Sequence, residues 1–234
     1  MKHKRLATLL LVLPLAMTLA SCSLDNFDGP DASIEGAFYD DETGELVQQE
    51  IVNGTKIRYE ENGWDNPEQQ TMVVRNDGTY RNTKIFSGSY DFYFQECNFI
   101  PPVRLIGHEI KKGKNRLDFK VQPYIRIRGA VISKEGNKIV AKFHVQPTVK
   151  GYQVESIGLF AHSDEAVGAE LSSVKILNGV NATINGMESY TLEIDLDTNR
   201  NKFEAGQSYW FRVGAKIKTA GARYNYAKAV KITV

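Results

Sequence analysis

The chain has 234 residues, with 29 Lys and Arg, 28 Asp and Glu, four His and two Cys. At 42% hydrophobic and 24% charged it has a globular composition, and its length suits one large β domain or two small ones. The near-neutral balance, with no basic stripe or tail, leaves a nucleic-acid partner without an electrostatic footprint.

Lys2, Lys4 and Arg5 precede an apolar run from Leu6 to Leu19 that Pro14 interrupts. That is short of the roughly 20 apolar residues a spanning helix needs. The run ends in Leu19-Ala20-Ser21-Cys22, which resembles the lipobox of bacterial lipoproteins. The resemblance implies that residues 1–21 are a removed leader and that Cys22 is acylated. Each buried acyl methylene contributes about 0.8 kcal/mol to holding the protein on a bilayer. Residues 22–31 are short, acidic and rich in turn formers, which reads as a tether. Their acidity is similar to the signal that displays Bacteroidetes lipoproteins on the outer cell surface. The expected location is therefore the outer membrane, lipid-anchored and facing outward.

Removing the three leader cations leaves 26 basic and 28 acidic side chains, a net charge of −2. With Cys22 acylated no intrachain disulfide is available, and Cys97 reads as a small buried hydrophobe. Such a domain is held by its core alone.

Past the tether, short alternating apolar runs separated by Gly, Asn and Asp give an all-β signature. In the first block, Ile34 to Asp40 is followed by the turn Asp40 to Glu45, and then by strands over Lys56–Glu60 and Gln70–Val74. Asn76-Asp77-Gly78 reads as a hairpin turn. A strand follows with Tyr90, Phe92 and Phe94 on one face, and Leu117–Val121 closes the sheet. Ile34-Glu-Gly with Asp40 to Glu45, Asp77-Gly-Thr-Tyr80 and Gly88-Ser-Tyr90-Asp-Phe92 resemble the carboxypeptidase-regulatory, or transthyretin-like, sandwich. The likeness covers residues 32–122. It speaks to fold and not to reaction.

Gln122-Pro123 breaks the pattern, and a second block runs over residues 123–234. Ile139, Ala141, Phe143 and Val145 alternate with polar residues, as do Ile157, Leu159 and Ala161, and then Tyr190, Leu192, Ile194 and Leu196. Phe203 to Ala215 is similar to the fibronectin type III and immunoglobulin-like pattern, with Ala205 where proline is usual. Tyr209 takes the tyrosine-corner place. Phe211 and Val213 then point inward, Trp210 and Arg212 outward. Tyr224 to Val234 is the expected last strand. The expected architecture is all-β, two tandem β-sandwich domains. Together with the Cys22 to Asp31 start, this plan resembles a family of two-domain Bacteroidetes lipoproteins of unknown function encoded beside outer-membrane glycan importers.

No nucleophile elbow, zinc helix or phosphate-cradling loop occurs. His108, His144 and His162 stand singly, which suits solvated side chains. Asp195, Asp197 and Asn199 alternate as calcium ligands would, yet they sit opposite Leu192, Ile194 and Leu196 on the wet side of a strand. No metal, cofactor or enzymatic activity is expected. Sugars present apolar C–H faces that stack on Trp or Tyr rings beside polar groups. Trp64, in the polar loop Glu60 to Gln69, is the best such platform, with Asp65 and Asn66 as hydrogen-bonding neighbours; Tyr59 and Trp210 are further candidates. The function expected is non-catalytic capture of an oligo- or polysaccharide by exposed aromatics. The alternative is a structural module that docks on an outer-membrane TonB-dependent transporter complex.

Overall fold

A computed structural model of the chain describes residues 28–234, so Cys22 and the leader lie outside the described residues. Among the described residues no helix is long and apolar enough to cross a membrane. Residues from Asp31 to Val234 form one compact unit made of two β-sandwiches.

The first sandwich comprises β1 (Ala32–Asp40), β2 (Lys56–Glu61), β3 (Gln70–Val73), β4 (Thr79–Ile85), β5 (Gly88–Phe94), β6 (Leu105–Ile110), β7 (Gly113–Arg116) and β8 (Phe119–Val121). One sheet has the order β4-β1-β7, with β8 also on β1; the other is β3-β2-β5-β6. Alternation sends Ile34 and Phe38 from one sheet, and Ile57, Tyr90 and Phe92 from the other, into a shared core. Phe38 stacks on Phe99 and Phe119 at centroid distances of 5.0 and 5.2 Å. The glycine of Ile34-Glu-Gly has a packing cause. A Cβ on Gly36 would lie 1.8 Å from the Leu117 carbonyl oxygen, the group that accepts the Tyr80 hydroxyl. Gly78, at φ +89 in the hairpin turn, also packs on backbone, where a Cβ would lie 2.5 Å from the Val47 carbonyl oxygen.

The second sandwich comprises β9 (Ile125–Glu135), β10 (Lys138–Pro147), β11 (Gln153–His162), β12 (Val174–Thr183), β13 (Glu188–Asp195), β14 (Ser208–Ile217), β15 (Asn225–Tyr226) and β16 (Val230–Thr233). Its sheets are β13-β10-β9 and β12-β11-β14, with β15 and β16 both on β14. The Tyr209 hydroxyl accepts the Glu204 amide at 3.0 Å, and its ring meets Phe203 edge-on at 5.0 Å. Phe211 and Val213 enter the core as their alternation requires.

Three differences from the sequence reading have physical causes. The last strand is split into β15 and β16, because the Ala227 carbonyl between them leaves the ladder to accept Arg212 Nε at 2.8 Å. β13 ends at Asp195, whose carboxylate caps the next turn by accepting the Thr198 amide at 2.9 Å. Arg212, expected to face out, points away from its own sheet's core but is fully buried, because the first sandwich covers it.

That joint is built from polar groups. Arg212 donates to the carbonyls of Gln49 (2.8 Å), Val167 (3.2 Å) and Asn76 (3.1 Å), and to Gln48 Oε1 (3.3 Å). Its guanidinium lies 4.4 Å above the centre of the Tyr226 ring. Burial lowers its pKa to about 10, so it stays charged at neutral pH. The Tyr226 hydroxyl donates to the buried Glu50 carboxylate at 2.7 Å. Asn98 donates to Gln48 O at 2.8 Å and to Tyr224 O at 3.1 Å. Arg126 grips Asp40 with two 2.7 Å bonds. Arg223, paired with Glu96 across the same joint, leaves only its buried Nε without a partner among the described residues, and polar groups partnered this extensively hold the two sandwiches in one arrangement. Cys97 sits beside this joint as a buried free thiol, and burial pushes its pKa up to about 11, which leaves it unreactive.

Candidate functional site

The β2–β3 connection, residues 62–69, is exposed throughout. Its sequence, Asn-Gly-Trp-Asp-Asn-Pro-Glu-Gln, offers turn formers and no apolar partner for the indole, so Trp64 stays 67% exposed. The loop is nevertheless tied down at both ends. At its start, the Asn62 amide donates to Ser89 O at 2.8 Å, and its side-chain amide reaches Asp91 Oδ1 at 3.1 Å. Gly63, at φ +102, makes the turn that follows. At its end, the Gln69 side chain lies 2.7 Å from the Tyr93 hydroxyl.

Trp64 borders a cavity of about 310 Å³ together with Glu61, Asn66, Glu68 and Gln70, at the lower end of the range for small-ligand sites. The site therefore offers one flat aromatic face, two carboxylates and two amides. Asp65 is exposed in the same loop but does not line the cavity.

Behind the loop, on the outer face of β2 and β5, lies a network that sequence spacing does not reveal. Glu60 faces Asp91 across the strand pair, and Arg104, from the β5–β6 connection, bridges them. Its Nη2 reaches Glu60 at 2.6 Å and its Nε reaches Asp91 at 3.0 Å, while its guanidinium stacks 4.5 Å over the Tyr93 ring. Tyr93 in turn donates to Glu60 Oε1 at 2.7 Å. The Tyr93 hydroxyl, followed by Arg104, holds the Glu60 carboxyl below its ordinary pKa. The Gly107 amide, the Asn62 side chain and Arg104 do the same for Asp91. The Tyr93 phenol is pushed up by burial and by Glu60. Both carboxylates stay ionised, and the loop is anchored through Gln69 to a charge-assisted lattice.

Two aromatic candidates are corrected. Tyr59 is 4% exposed and belongs to the core, its ring packed against those of Tyr90 and Phe92. Its hydroxyl donates to Gln70 Oε1 at 2.9 Å and accepts Asn82 at 3.3 Å, so it touches the site only through Gln70. Trp210 is half-buried against the cluster of Phe160, Val167 and Tyr226, with Lys231 Nζ 5.8 Å from its ring centre. It lies on the second sandwich and lines neither the Trp64 cavity nor the larger one below.

That larger cavity, about 330 Å³, lies between the sandwiches and includes Asp40, Gln48, Arg126, Arg128 and Lys228. Its arginines are already engaged: Arg126 with Asp40, Asp41 and Glu42, Arg128 with Glu42. Among the described residues no three His, Cys, Asp or Glu side chains are grouped so as to hold a metal ion. His108 packs edge-on against Phe92, and His162 accepts the Asp164 amide.

The chain matches two family models, "Protein of unknown function (DUF3823) N-terminal domain" over residues 32–122 and "Domain of unknown function (DUF3823_C)" over residues 125–231. Among solved structures it is similar to a "putative carbohydrate binding protein" from Bacteroides uniformis. The two are 37% identical, with a TM-score of 0.82 over 88% of this chain and 100% of that one. DUF3823 family proteins from Parabacteroides merdae (17% identity, TM-score 0.72) and Bacteroides uniformis (21%, 0.71) share the fold, each over 88% of this chain and 100% of theirs. No curated protein matches the chain.

Proposed function

The chain belongs to the DUF3823 family, and from that premise we propose that it is a non-catalytic, lipid-anchored outer-membrane protein that captures glycan through Trp64. The observation that carries this reading is the indole, two-thirds exposed beside a cavity lined by carboxylates and amides. An aromatic face takes the C–H side of a pyranose, while Glu61, Asn66, Glu68 and Gln70 supply partners for its hydroxyls. Pinning of the loop through Tyr93 and Asn62 lowers the ordering cost of binding. The likeness to a putative carbohydrate binding protein at 37% identity supports the same reading.

A glycosidase needs one carboxyl raised in pKa to act as acid. The carboxylates that meet near this loop, Glu60 and Asp91, are both held low and both bound to Arg104. That pair therefore lacks the raised member a general acid needs. Acylation of Cys22, supported by the lipobox-like sequence, would hold the protein at the outer membrane.

Titration calorimetry against a panel of plant and host oligosaccharides tests the proposal. The expected dissociation constant lies in the micromolar to millimolar range, and Trp64→Ala removes most of the affinity. Binding untouched by that change would exclude Trp64 as the platform. The second reading, docking on a TonB-dependent transporter complex, draws on Val103 and Ile106, exposed at 93% and 74% on either side of Arg104. Co-purification with a transporter that survives Trp64→Ala and fails with Val103→Ser and Ile106→Ser would favour it.

A further inference from the structure

The chain enters the first sandwich at Asp31, and several connections meet it there. Ala32 pairs with Ile85 at the end of β4 and with Gly113 at the start of β7. Asp31 accepts Ser87 in the β4–β5 turn at 2.8 and 3.0 Å. It also pairs with Lys112 in the β6–β7 turn at 3.4 Å. The β2–β3 loop starts at the same end, since Asn62 bonds Ser89. The opposite end of β1, at Asp40, meets the second sandwich through Arg126.

This entry end carries a concentrated basic corner. Lys84 is the penultimate residue of β4, Lys111 and Lys112 form the β6–β7 turn, and Lys114 lies in β7 opposite Ser33. All four are exposed, and among the described residues only Lys112 has an ion-pair partner. Phe86, at the tip of the β4–β5 turn, stands 45% exposed beside them. Asp31, engaged as above, Glu109 on β6 and Glu61 beside Gly88 are the acids of this corner, and Asp25 and Asp28 precede the entry in sequence. Asp65 and Glu68 lie in the Trp64 loop. The folded surface at this end therefore gathers four lysines and a phenylalanine beside the chain entry, with a tryptophan and further acids on the loop.

We propose that the Lys84–Phe86–Lys111–Lys112–Lys114 corner docks on a phosphate-bearing lipid surface, the bilayer that the acylated Cys22 would enter. The inference rests on that anchoring reading. Cys22 precedes Asp31 by nine residues, a chain that reaches at most about 30 Å. Lysines near an anionic surface strengthen attachment, and an aromatic ring at headgroup depth adds apolar contact. Acyl chains benefit from such a second signal. In this orientation the second sandwich projects away from the membrane, and the acidic Trp64 loop lies beside the docked corner, open to glycan.

Lysine labelling tests the geometry. The mature acylated protein is reconstituted into phosphatidylcholine vesicles, with and without phosphatidylglycerol, and acetylated by a membrane-impermeant amine reagent read by mass spectrometry. Labelling of Lys84, Lys111, Lys112 and Lys114 should slow severalfold only with phosphatidylglycerol. High salt should reverse the effect, and Phe86→Ser should weaken it. Lys175 and Lys228 of the second sandwich should label equally on both vesicles. Equal labelling of the corner on both vesicles overturns the proposal. So does an unmodified Cys22 in protein taken from cells. Glycan titration of the same samples reads the Trp64 site separately, so the two readings fail independently.

Discussion

Arg212 and Trp64 make a useful comparison, since each is a large side chain that its own sheet or loop turns away from its core. Arg212 sits mid-strand at the end of the second sandwich that meets the first, and it is fully buried under Gln48, Gln49 and Asn76. Trp64 sits on a connection at the far end of the first sandwich, away from the joint, and it remains open. Local pattern fixes which way a side chain points. Whether another element then covers it depends on which end of the domain it occupies.

The comparison predicts opposite consequences of truncation. Arg212→Met should cost about 3–5 kcal/mol in denaturant unfolding, because it strands several buried carbonyls as well as removing a charge. A loss under 1 kcal/mol would show that the joint tolerates repacking. Trp64→Ala should leave stability within about 0.5 kcal/mol yet weaken saccharide binding by about tenfold or more, or 1.4 kcal/mol, measured by calorimetry. Tyr93→Phe should have a smaller effect, about 1 kcal/mol, with looser attachment of the Trp64 loop visible as faster hydrogen exchange at residues 62–69.

Acidity should also weaken the joint. Burial pushes the Asp40 carboxyl up, but its hydrogen bonds from Arg126 and the Glu42 amide outweigh this and hold it below the ordinary value. A depressed carboxyl contributes stability that is complete above the unfolded value of about 4 and is lost as pH falls through the folded one. The urea midpoint should therefore hold from pH 7 down to about 5 and drop towards pH 3. Asp40→Asn should flatten that drop. An unchanged pH profile in the variant would assign the acid sensitivity elsewhere.

Much of the fold is legible in particular residues. Ile34-Glu-Gly36, Asp77-Gly78 and Gly88-Ser-Tyr90 announce strands and turns because their chemistry is local: close backbone approach, positive φ and alternation. Trp64 is likewise readable, since a tryptophan among Asn, Gly, Asp and Pro has nothing nearby to bury it. Tyr59 misleads for the opposite reason. Alternation within β2 gives two faces without saying which one the core lies behind, and only the pairing with Phe92 and Gln70 settles that it points inward. Arg104 is silent in the sequence because its partners, Glu60 and Asp91, are 44 and 13 residues away and become neighbours only once β2 and β5 are in register.

What the sequence determined by itself was the all-β class, the two-block plan and the presence of an unsheltered indole, all set by short-range periodicity and turn chemistry. The tertiary structure alone decided which outward side chains are sealed, which carboxylates share an arginine, and that the chain entry, four lysines and the Trp64 loop meet at one end. These follow from strand order and domain docking, which bring distant residues together through contacts that no local pattern encodes.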